Sequence, residues 1–133
     1  MPEGSYADLS KARKITNSEH KASIRRFVKL SCMKQLRHVV LFKFKDGSSA
    51  ADIKKVEEAF ARLPEQISEI EAFEWGLNNS PEGLNDDFTH CFFLTFASEK
   101  ARDAYLPHPA HKAFGEVLNP HLDKVLVFDY WAS

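Results

Sequence analysis

Three stretches of this chain are apolar on both faces of a strand, and that limits the folds open to it. In "FTHCFFLTFA" (Phe88 to Ala97), His90, Phe92, Leu94 and Phe96 alternate on one face while Cys91 and Phe93 occupy the other. "LRHVVLFKFK" (Leu36 to Lys45) sets Val40, Phe42 and Phe44 against Val39 and Leu41. "DKVLVFDYW" (Asp123 to Trp131) sets Val125, Val127 and Trp131 against Leu126, Phe128 and Tyr130. An antiparallel sheet with one wet face alternates apolar with polar residues, so these strands predict a sheet covered on both sides. Leaving one side in water would forgo roughly 25 cal/mol per Å² of apolar surface.

The segments between the strands say how much cover the chain itself supplies. "ADIKKVEEAFARLPEQI" carries Ile53, Val56, Phe60 and Leu63 at helical spacing, with Ser48 or Ser49 placed to cap it and Pro64 to stop it. "SEIEAFEWGLNN" alternates as a further strand, and "NNSPEGLNDD" is a loop. "SEKARDAYL" opens a short helix at Ser98, and Pro109 suits the first turn of another whose stripe is Ala110, Phe114, Val117 and Leu118. The order is β-α-β-β-α-β, an α+β ferredoxin-like protomer with a four-stranded antiparallel sheet. Its short helices cover one face only. The simplest cover for the other is the same sheet of a second copy, which predicts a homodimer with sheets face to face and a cavity between them.

Composition excludes several classes. With 133 residues, 44% hydrophobic and 28% charged, the chain is sized for one globular domain. A net charge of -1 offers no general attraction to nucleic acid or an anionic membrane surface, and no apolar run approaches the roughly eighteen residues of a spanning helix. Two cysteines, Cys32 and Cys91, are too few for a disulfide framework, which points to a reducing cytoplasm. Residues 1–32 are polar, mixed in charge and without sustained periodicity, and are expected to form a flexible extension to a compact domain over 33–133. Met33 is then a candidate natural start.

The candidate site residues are polar side chains in apolar patterns. His38 leads the face of Val40 and Phe42, and His90 leads the face of Phe92 and Leu94. Both stand near a strand start, so they are expected to be neighbours at one end of the cavity. "YLPHPAHKAFG" (Tyr105 to Gly115) adds Tyr105, His108 and His111. The histidine pair invites a metal, but tetrahedral zinc needs three or four ligands and no further ligand stands at a recognised spacing, so no metal is assigned. Two readings remain: the stretch starts a helix, or His111 serves as a general base beside a phenol, Tyr105, that steadies oxyanion charge. Phe42, Phe92 and Trp75 are candidates to wall the cavity.

The run from "LRHVVLFKFKD" through "FTHCFFLTF" to "YLPHPAHKAFG" and "KVLVFDYW", residues 36 to 131, resembles the stress-responsive dimeric α/β-barrel (Dabb) family. The resemblance implies protomers that pair sheet to sheet into a dimeric α/β barrel and bind a small hydrophobic molecule, with specific activity open. It also implies an alternative, because one plant member closes a polyketide chain by aldol condensation without metal or organic cofactor. On that pattern the first-strand histidine falls on His38 and the third-strand histidine on His90. The proposed catalytic tyrosine falls on Tyr105 and the catalytic histidine on His111. The ligand would then be carbonyl-rich and the activity that of a cofactor-independent cyclase or isomerase.

Overall fold

Residues 34–133 are described in the computed structural model; the predicted extension over 1–32 and Met33 lie outside them. The elements run β1 (Leu36–Phe44), α1 (Ala50–Ala61), α2 (Leu63–Gln66), β2 (Ala72–Leu77), β3 (His90–Phe96), α3 (Glu99–Tyr105), α4 (Pro109–Leu118) and β4 (Leu122–Trp131). Ser49 caps α1 by accepting the Asp52 amide, and Ser98 caps α3 by accepting that of Ala101. Pro64 ends the predicted first helix in a different way from that expected. It occupies the first turn of the separate short helix α2, where its missing N–H costs nothing.

The four strands order as β2-β3-β1-β4, and every pairing is antiparallel. Even-numbered residues of β1 and β3 face the helices, together with Phe73 and Trp75 of β2 and Val125 and Val127 of β4, as the registers require. On this face Phe60 of α1 stacks on Phe92, with ring centroids 4.1 Å apart and planes 3° from parallel. Phe114 of α4 meets Phe60 edge-on at 4.7 Å. Leu36, Val56, Leu63, Ile67 and Leu94 complete a core sealed from water.

The expected barrel is not formed. The chain's sheet is open: β2 and β4 are its two edges and do not meet. Strand patterning reports only that a second face is apolar, and carries no information on closure. Phe128, on the face away from the helices, stays 61% exposed. Among the described residues no helix is long and apolar enough to cross a membrane.

Truncating Phe60 to alanine should cost about 3–5 kcal/mol in urea unfolding, because it removes the centre of the aromatic stack. Ser98→Ala should cost about 1 kcal/mol through loss of a helix cap.

Candidate functional site: a cleft between α4 and β4

The sheet's helix face carries more apolar residues than the helices cover. Val40 and Phe42 of β1 are 5% and 2% exposed, whereas their register partners Val127 and Val125 on β4 are 54% and 48% exposed. The helical layer therefore ends between β1 and β4. A cleft of about 310 Å³ opens there, walled by Phe42, Phe60, Phe114, Leu118, Val125 and Val127, with His38, Tyr105 and His111 also lining it. This cleft lies within a single protomer, on the face of the sheet opposite to that on which the second sheet was expected.

Tyr105 closes α3 and is 1% exposed. No group among the described residues hydrogen-bonds its hydroxyl, and the residue lines the cleft. Burial pushes its pKa far above the ordinary phenol value, so it remains a neutral donor. His111 lies in the first turn of α4, its ring centroid 4.5 Å from that of Tyr105. Its Nδ1–H donates to the Leu106 carbonyl at 2.8 Å. A carbonyl can only accept, so in the neutral ring Nε2 keeps the lone pair.

His38 is buried beside Tyr105, with ring centroids 5.7 Å apart. Its Nδ1–H donates to Asp129 Oδ1 at 2.7 Å, and Arg102 Nη1 donates to Asp129 Oδ2 at 3.2 Å. Burial lowers the His38 pKa, and the Asp129 carboxylate opposes that shift. His38 therefore also carries its proton on Nδ1 when neutral. Asp129 and Arg102 were not among the residues singled out from the sequence. Asp129 had a signal: it is a carboxylate in phase with Val125 and Val127, the same kind of interruption that marked His38.

The remaining predicted residues lie elsewhere. Antiparallel pairing sets His38 opposite Leu94 and His90 opposite Phe42, so the two histidines stand at opposite ends of the sheet. Both lead their strands, and in an antiparallel pair that separates them. His90 donates Nε2–H to Glu57 at 3.2 Å and contacts Thr89 Oγ1 through Nδ1 at 2.7 Å. Trp75 stacks on His90 and Phe92 on β3, so these three rings form a separate packed group, while Phe42 reaches the cleft. His108 caps α4, its Nδ1 accepting the Ala110 amide at 3.0 Å. Among the described residues no three metal-ligating side chains are grouped.

The fold and cleft define a ferredoxin-like α+β protomer with a histidine–tyrosine–histidine edge on an apolar pocket. Residues 36–132 match the Stress responsive A/B Barrel Domain (Dabb) family, and the chain belongs to it. It is 42% identical to Stress-response A/B barrel domain-containing protein HS1 of Arabidopsis thaliana over 71% of this chain and 87% of that one. To Olivetolic acid cyclase of Cannabis sativa it is 30% identical, over 71% and 94% respectively. Among solved structures, At3g17210 from Arabidopsis thaliana superposes with a TM-score of 0.70 at 41% identity, covering 74% of this chain and 95% of that one. A ferredoxin-like protein of unknown function from Bacteroides fragilis, described as dimeric, gives 0.61 at 27% identity, covering 74% and 96%.

Two outcomes follow from this geometry. His38 has a depressed pKa when folded, so below its ordinary value of 6.5 the unfolded chain takes up a proton that the folded chain refuses. Stability should then fall as pH drops below 6.5, and level off beneath the folded pKa. Urea titrations of His38→Gln should show a shallower acid slope than wild type. Gly115 lines the cleft, and a Cβ there meets no atom within 4 Å. Gly115→Ala should raise stability by about 0.5–1 kcal/mol through helix propensity.

Proposed function

We propose that the cleft binds a small, mainly apolar molecule bearing a carbonyl group. The observation that carries this reading is Tyr105, which lines the apolar cleft beside His111 and whose hydroxyl has no hydrogen-bond partner among the described residues. A carbonyl oxygen in the cleft would accept its hydrogen bond. Among the described residues no Lys, Arg, Asp or Glu lines the pocket, which favours an uncharged group in the part of the ligand it holds.

The same arrangement favours proton transfer. His111 Nε2 would take a proton from the carbon next to the carbonyl. The C–H electron pair then becomes the enolate double bond, and charge moves to oxygen, where the Tyr105 hydroxyl stabilises it. His38, its Nδ1–H tied to Asp129, would orient the polar end. Of the other predicted ligand-binding residues, Phe42 walls this cleft, while His90, Phe92 and Trp75 would act by supporting the packed sheet beneath it. Such chemistry suits isomerisation or ring closure of carbonyl-rich compounds. The name of the Cannabis sativa relative is in keeping with that.

We also infer that two copies pair through the outer faces of their sheets. Leu126, Phe128 and Tyr130 are exposed there, beside Leu41 and Phe93, and an apolar surface of this kind marks an interface. With only two cysteines in the chain, the cytoplasm is the setting we favour.

Calorimetry with neutral methyl ketones carrying apolar tails should show binding that the matching carboxylates lack. Tyr105→Phe should weaken it roughly five- to tenfold. Solvent deuterium should enter the α-carbon of a bound ketone, and His111→Ala should slow that by roughly a hundredfold or more. Equal exchange by wild type and variant would remove His111 from the chemistry. Sedimentation at micromolar concentration should give a dimer for wild type and a monomer for Phe128→Glu.

A further inference from the structure

We infer that Arg102 is a positioning residue for the cleft, acting through Asp129 to hold His38 with its Nε2 lone pair free. The observation is a chain of contacts running inward from the surface. The Arg102 guanidinium is held by two carboxylates, donating Nε–H to Asp103 Oδ1 at 3.1 Å and Nη1–H to Asp129 Oδ2 at 3.2 Å. Asp129 spends its other oxygen on His38 Nδ1–H. His38 Nε2 has no partner among the described residues, and the residue lines the cleft.

Three elements meet in this chain. Arg102 and Tyr105 are three residues apart on α3, so one helix supplies both a cleft donor and the cation behind the carboxylate. Asp129 comes from β4 and His38 from β1, opposite one another in register. The groups facing His38 are Asp129 from β4, Arg102 and Tyr105 from α3, and His111 from α4. Without Arg102, the Asp129 charge would act on His38 unopposed, which favours imidazolium and erases the acceptor at Nε2. The arginine also opposes protonation of His38 directly. Second-layer groups of this sort commonly fix a histidine's tautomer and orientation.

The inference gains its functional meaning from the acid–base reading of the cleft, but its test needs no ligand. Full-length protein labelled with ¹⁵N-histidine, followed by long-range ¹H–¹⁵N correlation across a pH titration, reads tautomer and midpoint for each ring. Wild type should show His38 as the Nδ1–H tautomer at neutral pH, with an observable downfield Nδ1 proton. In Arg102→Met the midpoint should rise, and Arg102→Lys should bring the midpoint back toward wild type. Thermal melts check folding, with Arg102→Gln as the substitute if the methionine variant does not fold. An unchanged midpoint in the folded variant, or the same shift in Arg102→Lys as in Arg102→Met, overturns the inference. Failure of the ketones to bind wild type would bear on the proposed function alone.

Discussion

The structure depends on the position of β1 at the centre of the sheet, paired on both edges with β3 and β4. Side chains of a strand alternate between faces, so slipping β1 by one residue would turn Leu36, Val40, Phe42 and Phe44 out of the core at once. Two flanking ladders forbid that slip. The same alternation carries His38 inward in phase with those apolar residues, and so brings an imidazole to the helix face. The polar edge of the cleft is thus a consequence of register rather than of a loop shaped for the purpose.

Burying polar rings on an apolar face is tolerated only where hydrogen bonds replace water. The protein meets that condition twice and with different results. At one end of the sheet His90 is taken up by Glu57 and Thr89 and packed against Trp75 and Phe44, so both ring nitrogens have partners. At the other end His38 and His111 each spend only Nδ1, on Asp129 and on the Leu106 carbonyl. Their Nε2 atoms and the Tyr105 hydroxyl find no partner among the described residues. A similar composition therefore yields a satisfied core histidine in one place and, in the other, histidines with only one ring nitrogen partnered among the described residues.

Much of this was legible in the sequence because it is local. Element order, the caps at Ser49 and Ser98, and the apolar stripe of α4 all follow from spacing and residue type. His38, Tyr105 and His111 announced themselves as polar residues in or beside apolar patterns. What was not legible is set by pairing direction and by layer width. His38 and His90 both lead their strands, and only the antiparallel register shows that this separates them. Phe92 looks like a cavity wall by composition, yet it is sealed in the core, while the partly exposed Trp75 stacks on it and on His90. Arg102 gave no sign, because a charged residue on a short exposed helix is ordinary until its carboxylate partner is known.

The cleft itself follows from a mismatch between the sheet and its cover. Four strands are faced by α1 and α4, which pack on each other and centre on the Phe60–Phe92 stack over β1, β2 and β3. That stack draws the helices away from β4, whose inward valines are left half in water. Closing the gap would require larger residues along α4, but Gly115 stands at that edge with open space before it. Where the helical layer stops, Tyr105 and His111 meet beside His38. An apolar pocket and the polar edge that lines it therefore arise from one cause: a helical layer narrower than the sheet it covers.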